Sequence, residues 1–156
     1  MATRGFEFAY DLNGASTPLI KDFTLGEGDA YKVGDLCLIQ SDGYIDKVAG
    51  SIGEVTGVCM EAVSSAAATA GSTKAKFAVI TPTQVWRCST DASTAATAIV
   101  GYTKTWDTVD ANTIDADDIT NGSMIVFDTG TDDDGNVLGY VIFSNTTFGI
   151  QDTDTT

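Results

Sequence analysis

Three adjacent aspartates in the last third of the chain come closest to a metal-binding motif. Asp132, Asp134 and Asn136 repeat the first ligand spacing of an EF-hand calcium loop, which is D-x-[DN]-x-[DN]-G with a glutamate at the twelfth position. The glycine comes two positions too early for that loop, and its twelfth position is Phe143. The spacing predicts a plain polar turn over Asp132–Asn136, with a calcium-stabilised surface module as an alternative.

Residue types that carry catalysis are scarce. The chain contains no histidine, which removes the commonest general base and zinc ligand. The nucleophile motif G-x-S-x-G, the phosphate-binding loop and the dinucleotide fingerprint are all missing from the sequence. Cys37, Cys59 and Cys88 lie far apart without a C-x-x-C pair, which indicates reduced core residues of a protein folded in a cytosol. We predict a non-enzymatic protein that needs no cofactor and no metal.

The charge of the chain is strongly acidic and uneven. It has 22 acidic and 8 basic residues, a formal net charge of −14. Nucleic acids and anionic membranes are not expected partners, because both are bound by clustered Lys and Arg. No apolar stretch approaches the roughly 18–20 residues of a membrane span. Lys104 is the last of the 8 basic residues, and 11 aspartates follow it in the sequence. This acidic third is predicted to be a solvated, repulsive face, with a cation site as the alternative.

Short apolar runs separated by turn signals dominate the sequence. Asp42-Gly43 between two such runs is typical of a β-hairpin, because its turn needs positive φ. About eight strands without a long helix predict an all-β fold, a single small β-barrel or β-sandwich domain. The predicted strands are Phe6–Tyr10, Asp35–Ile39, Tyr44–Val48, Ile52–Val63, Lys74–Ile80, Gln84–Cys88, Ser123–Phe127 and Val137–Phe143.

The chain is predicted to have three parts. Residues 1–22 form an N-terminal arm and hinge, residues 23–150 form the barrel or sandwich domain, and residues 151–156 form a flexible acidic tail. Residues 91–100 have the composition of one weak helical turn capped by Asp91. Trp86 and Trp106 are expected to anchor either the core or a subunit interface, rather than to stack on a ligand.

The N-terminal segment offers two interpretations. Arg4 precedes an alternating run that places Phe6, Phe8 and Tyr10 on one face of a strand. The run is either the first core strand or an arm that adds to the edge of a partner's sheet. In the second case main-chain hydrogen bonds provide affinity, and the three aromatic side chains fill pockets of the partner.

The middle of the chain carries a family resemblance. Gly34-Asp35 precedes an apolar strand, the hairpin turn at Asp42-Gly43 follows, and residues 52–62 read I-G-E-V-T-G-V-C-M-E-A. Together with Phe77–Pro82 and Val85-Trp86, this pattern resembles small decoration, or cement, proteins of tailed-phage capsids. The resemblance covers residues 34–86, about a third of the chain.

The resemblance implies a structural protein of the virion. Such proteins are made in the bacterial host cytoplasm, bind the outside of the capsid as trimers at threefold positions, and brace neighbouring subunits of the major capsid protein. We therefore expect a homotrimeric bacteriophage capsid decoration protein whose residues Arg4, Phe6, Phe8 and Tyr10 grip the major capsid protein. A carbohydrate-binding or adhesive β-domain on a virion or cell surface remains the alternative.

Overall fold

The fold is described from a computed structural model of the chain, which covers residues 5–50, 52–92, 101–118 and 122–148. For residues 101–105 only the backbone is described. Within these ranges no helix is long and apolar enough to cross a membrane. The strands are β1 (Glu7–Asp11), β2 (Ile20–Thr24), β3 (Leu36–Ile39), β4 (Ile45–Lys47), β5 (Gly57–Cys59), β6 (Lys74–Val79), β7 (Gln84–Ser89), β8 (Gly101–Asp110), β9 (Thr113–Asp115), β10 (Met124–Thr131) and β11 (Val137–Phe143).

The strands form two antiparallel sheets that pack against each other. One sheet has six strands in the order β1-β7-β11-β10-β8-β9, and the other has five in the order β2-β6-β5-β3-β4. The predicted all-β class is confirmed, and of the two predicted architectures the sandwich fits. A bridge between Thr90, just after β7, and Ile114 of β9 curls the six-stranded sheet without closing it into a barrel.

Alternation along the strands of the five-stranded sheet produces two cores. Leu36 and Val58 face the six-stranded sheet, whereas their neighbours Cys37 and Cys59 face the opposite side. Loops cover that second side through Leu25, Tyr31 and Ala68. The core between the sheets also contains Phe6, Ile52, Val55, Ala78, Ile80, Trp86, Cys88, Trp106, Ile114, Met124, Val126, Val141 and Phe143.

The predicted hairpins are present where turn residues marked them. Gly43 has a φ of 86° in the β3–β4 turn, and Asp42 Oδ1 accepts a hydrogen bond from the Tyr44 N–H at 2.9 Å. The polar turn over Asp132–Asn136 joins β10 to β11. There Gly135 has a φ of 85°. Asp–Gly pairs fixed both turns because the glycine adopts the left-handed region without steric cost.

Three strands were not predicted, and one was predicted too long. β2, β8 and β9 have polar sequences without apolar alternation, so neighbouring strands rather than intrinsic pattern determine them. The strand predicted over Ile52–Val63 contains only β5. On either side of β5 the described residues form only isolated bridges, from Val55 to Thr146 and from Val63 to Tyr31. Most of the predicted helical turn, residues 93–100, and the predicted tail lie outside the described residues.

The division into an N-terminal arm and a domain needs correction. β1 pairs with β7, and β2 pairs with β6, so both segments belong to the sheets of the chain itself. Phe6 is 2% exposed, with its ring centroid 5.7 Å from that of Phe143, and the Phe8 ring lies 5.6 Å from that of Trp86. Of the two interpretations of this segment, a first core strand describes the isolated chain.

Candidate functional site at the open edges

Two strand edges are open in the described part of the chain. Leu25 bridges Ile45 on the outer side of β4, and the Asp91 N–H donates to the Ile114 carbonyl of β9 at 3.0 Å. These contacts cover the β4 edge of the five-stranded sheet and the β9 edge of the six-stranded sheet. β1 and the Ile20–Asp22 part of β2 have no such cover among the described residues, whereas the end of β2 leads directly into the Leu25–Ile45 bridge with β4. Uncovered edges can pair with another chain.

Exposed apolar side chains concentrate at these two edges. Of ten large hydrophobic residues that are exposed in the described ranges, six lie on or beside β1 and β2. We call this region the open-edge surface. Its apolar members are Tyr10, Leu12, Leu19, Ile20, Phe127 and Phe148. A cluster of this kind on a soluble protein indicates a surface that another molecule covers.

An aromatic pair forms one half of the open-edge surface. A β-bulge between Phe8 and Tyr10 changes the face of β1, so Tyr10 lies opposite Val85 on the outside of the six-stranded sheet. The rings of Tyr10 and Phe127 meet edge to face at 5.9 Å. Val85 is fully buried although it faces outward. Burial raises the pKa of Tyr10, and the nearby Asp128 carboxylate adds to this shift.

An apolar groove forms the other half. It has a volume of about 310 Å³ and runs along β2 beside Phe148. The Phe148 ring stacks on Phe23 with centroids 6.3 Å apart, and the Lys21 ammonium lies 5.5 Å from the centre of the Phe23 ring. Leu19 on its rim is 70% exposed, the highest value of any large hydrophobic residue described. The groove is lined by Leu19, Lys21, Val79, Thr81, Gln84 and Phe148.

The buried Gln84 amide fixes the floor of the groove. Its Nε2 donates to the Val79 carbonyl at 3.2 Å. Its Oε1 accepts hydrogen bonds from the Thr81 N–H at 2.9 Å and from Trp86 Nε1 at 3.1 Å. One side chain thus ties the end of β6 to β7 and so connects the two sheets. Because Gln84 also pairs with Asp11 of β1, it holds both halves of the open-edge surface together.

The predicted capsid-binding residues divide between core and surface. Arg4 lies outside the described residues. Phe6 and Phe8 pack inward, and only Tyr10 is exposed, at 42%. The expectation that all three aromatic rings share one face is wrong, because the bulge at Ala9 reverses the alternation. Their predicted grip on the major capsid protein stays a prediction.

The tryptophans predicted to anchor a core or a subunit interface are both core residues. Trp86 is 0% and Trp106 is 2% exposed, so neither offers surface to a second subunit. Of the two alternatives, core or oligomer interface, the burial of Trp86 and Trp106 in this chain supports the core. The open-edge residues Leu12, Leu19, Ile20 and Phe148 were missed. For Leu12, Leu19 and Ile20 a signal was present in the sequence, because these apolar residues interrupt the polar stretch that predicts a hinge.

The carboxylates of the two acidic turns cap their own backbone. Asp132 Oδ1 accepts hydrogen bonds from the backbone N–H groups of Asp134 at 3.0 Å and Asn136 at 2.8 Å, as in a plain polar turn. A second acidic group consists of Asp91, Asp115 and Asp117, with oxygens within 4.8 Å of one another. Asp91 Oδ1 accepts the Ala116 N–H at 2.9 Å, and Asp115 Oδ1 accepts the Asp117 N–H at 3.0 Å.

The cysteines lie in the two cores as free thiols. Burial raises the pKa of Cys59 to about 11 and raises the pKa values of Cys37 and Cys88 well above the ordinary range. Thiols of this kind are protonated at neutral pH and are poor nucleophiles. Their prediction as core residues is confirmed.

No protein-family model matches the chain, and no curated protein shows significant similarity to it. A functional conclusion therefore depends on the geometry and charge of the residues described above.

Proposed function

We propose that this protein is a non-enzymatic decoration protein that binds the outer surface of a tailed-phage capsid and stabilises the shell. The observation that carries the proposal is the open-edge surface, which gathers six of the ten exposed large hydrophobic residues beside two uncovered strands. Such a surface is suited to binding another protein through apolar contacts and main-chain hydrogen bonds.

The net charge of the chain supports an external position. Densely packed DNA inside a capsid repels a chain with a net charge of −14. This charge favours a place on the outside of the shell, where no packed DNA faces the protein.

The segment that resembles capsid decoration proteins forms a compact structural unit. Residues 34–86 contribute β3, β4, β5 and β6, which are four of the five strands of one sheet, and then β7 of the other. The short motifs of the resemblance therefore lie side by side rather than scattered over the surface.

Cosedimentation with purified empty heads of the phage tests the proposal. We expect the protein to pellet with heads and to saturate at a fixed ratio to the major capsid protein. Native mass spectrometry of the free protein should give three times the chain mass of 16.3 kDa, because threefold positions favour a trimer. Protein that stays in the supernatant at every concentration would overturn the proposed function.

The alternative of a carbohydrate-binding domain is favoured by one observation. Tyr10 and Phe127 form an exposed aromatic pair with the Asp128 carboxylate nearby, and sugars bind to rings flanked by hydrogen-bonding groups. A glycan array separates the two functions. The decoration proposal expects no glycan signal that depends on Tyr10. A signal abolished by Tyr10→Ala, without binding to heads, would replace it with the alternative.

A further inference from the structure

The outer edge of β2 presents a regular row of backbone groups. The Val79 N–H donates to the Leu19 carbonyl and the Leu25 N–H donates to the Thr73 carbonyl, both at 2.8 Å. In an antiparallel ladder hydrogen-bonded pairs alternate, so the odd-numbered residues of β2 bond to β6. The N–H and C=O groups of Ile20, Asp22 and Thr24 therefore point away from β6. Just after Thr24 this side meets β4 through the Leu25–Ile45 bridge, but beside Ile20 and Asp22 no strand lies among the described residues.

We infer that β2 receives an extended segment of the capsid subunit as an added strand. This inference rests on the proposed function and identifies where the partner binds. The outward residues Ile20 and Asp22 offer alternating donors and acceptors that an extended backbone matches residue by residue. The register of β2 with β6 is continuous from Ile20↔Ala78 to Thr24↔Lys74. A regular edge of this kind is a ready template for pairing.

The other open edge is less suited to strand addition. β1 contains a bulge at Ala9, which interrupts the spacing of its backbone groups. Acidic residues, Glu7 and Asp11, stand at its two ends. Both edges carry charges, since β2 contains Lys21 and Asp22, but only β1 has a bulge, which is a device that prevents pairing at a sheet edge. The contrast between the two edges assigns the partner strand to β2 rather than to β1.

The groove beside β2 specifies the side chain of the partner. Leu19, Lys21 and Phe23 share one face of β2, and the groove follows that face. A strand paired with β2 carries alternate side chains on the same face, next to the exposed Leu19 and Phe148. The groove is almost wholly apolar apart from Lys21 and the buried Gln84. The occupant is therefore an extended peptide with a large apolar side chain in its centre.

A second copy of this chain pairs poorly with the same edge in two of its registers. When two β2 strands are related by a twofold axis perpendicular to the sheet, odd-numbered residues of one copy lie opposite odd-numbered residues of the other, and even-numbered opposite even-numbered. The register with full overlap places Asp22 opposite Asp22 of the second copy, and the next register places Lys21 opposite Lys21. Like charges directly opposite each other destabilise a strand pair. The register that places Phe23 opposite Phe23 carries no such repulsion. A twofold dimer of the free protein in native mass spectrometry, protected at residues 20–24, would therefore replace the capsid subunit with a second copy as the occupant.

Proline substitution at Asp22 tests the inference. Proline removes an N–H that points outward and keeps the bonds of β2 to β6, so the fold tolerates it at an edge. The control Asp22→Ala removes the same carboxylate, and its 3.2 Å ion pair with Lys76, but keeps the N–H. In cosedimentation with empty heads we expect D22A to bind within about threefold of the wild type, the range of one exposed ion pair. We expect D22P to bind at least about tenfold more weakly.

A second pair of variants tests the groove. Leu19→Asp should weaken head binding by about tenfold or more, because it puts a charge into the apolar contact. Val33→Asp is the matched control, since Val33 is 58% exposed outside the open-edge surface and should leave head binding unchanged. Thermal unfolding of each variant confirms that it is folded.

Amide hydrogen exchange of the wild type gives a readout that needs no substitution. Peptides covering residues 20–24 should exchange more slowly on decorated heads than in the free protein. Two results would overturn the added strand but leave the decoration function standing, provided that the wild type binds heads. The first is that D22P binds heads as tightly as the wild type, and the second is that residues 20–24 exchange at the same rate in the free and the bound protein. Wild type that does not bind heads would overturn the decoration function itself.

Discussion

Gln84 is the single side chain on which the open-edge surface depends most. Its amide bonds Val79, Thr81 and Trp86 at the junction of the two sheets. Gln84→Met keeps the volume but leaves buried partners unsatisfied, each at about 1–3 kcal/mol. We expect the free energy of unfolding to fall by about 3 kcal/mol or more in urea titrations. The exposed Gln40→Met should change it by no more than about 0.5 kcal/mol. Equal effects of the two substitutions would contradict the role of Gln84.

Asp46 gives a pH dependence with a defined sign. Its Oδ1 is buried without a hydrogen-bond partner in the described chain, and burial, with a smaller effect of Asp42, raises the pKa of Asp46 above the ordinary 3.8. The folded state therefore favours the protonated acid, and this contribution to stability is lost as pH rises through the folded pKa.

Asp46→Asn should consequently stabilise the protein at neutral pH, by less than about 1 kcal/mol. The advantage over the wild type should disappear at a pH well below 3.8, where both side chains are neutral. Urea unfolding at a series of pH values measures this difference. A stabilisation that is independent of pH would show that ionisation of Asp46 is not its cause.

At the scale of the element, β1 is a core strand. Deleting residues 1–12 removes Phe6 and Phe8 from contacts with Phe143 and Trp86. Burial of such a ring contributes about 1.5–3 kcal/mol, so we expect a loss of roughly 3–6 kcal/mol or failure to fold. Deleting residues 1–4 is the control and should leave the unfolding midpoint nearly unchanged. A truncation at residue 12 with wild-type stability would restore the idea of a separate arm.

The elements that sequence could predict are those with local signals. The β3–β4 and β10–β11 hairpins follow from Asp42-Gly43 and the aspartate turn, since Gly43 and Gly135 need positive φ. The alternation of side chains along β1 could be predicted from the sequence, but the face of the sheet on which Tyr10 lies could not. A bulge at Ala9 depends on pairing with β7, which no local pattern encodes.

The strands and site residues that were missed depend on tertiary neighbours. β8 reads G-Y-T-K-T-W-D-T-V-D and becomes a strand because β10 and β9 pair with its two sides. The groove could not be predicted either, since Leu19 and Phe148 are distant in sequence. They meet only because residues 146–147 run alongside Val55 and bring Phe148 onto Phe23.

At the scale of the whole molecule, a net charge of −14 should make stability depend on salt. Raising NaCl to about 0.2 M shortens the Debye length to below about 10 Å and should raise the melting temperature. At that salt concentration, about 1 mM CaCl2 or a chelator should shift the melting temperature by no more than about 1 °C, since the acidic turns cap their own backbone. A larger rise with calcium alone would support the calcium-stabilised module.

The most direct test of the proposed function measures the thermal stability of the capsid shell rather than a property of the free protein. A protein that binds only assembled capsid shifts the equilibrium toward the intact shell, by about 2.7 kcal/mol per site at a hundredfold excess over the dissociation constant. We therefore expect empty heads heated with saturating protein to disrupt at a higher temperature, by light scattering, than bare heads. Identical disruption temperatures for bare and fully decorated heads would contradict a stabilising role.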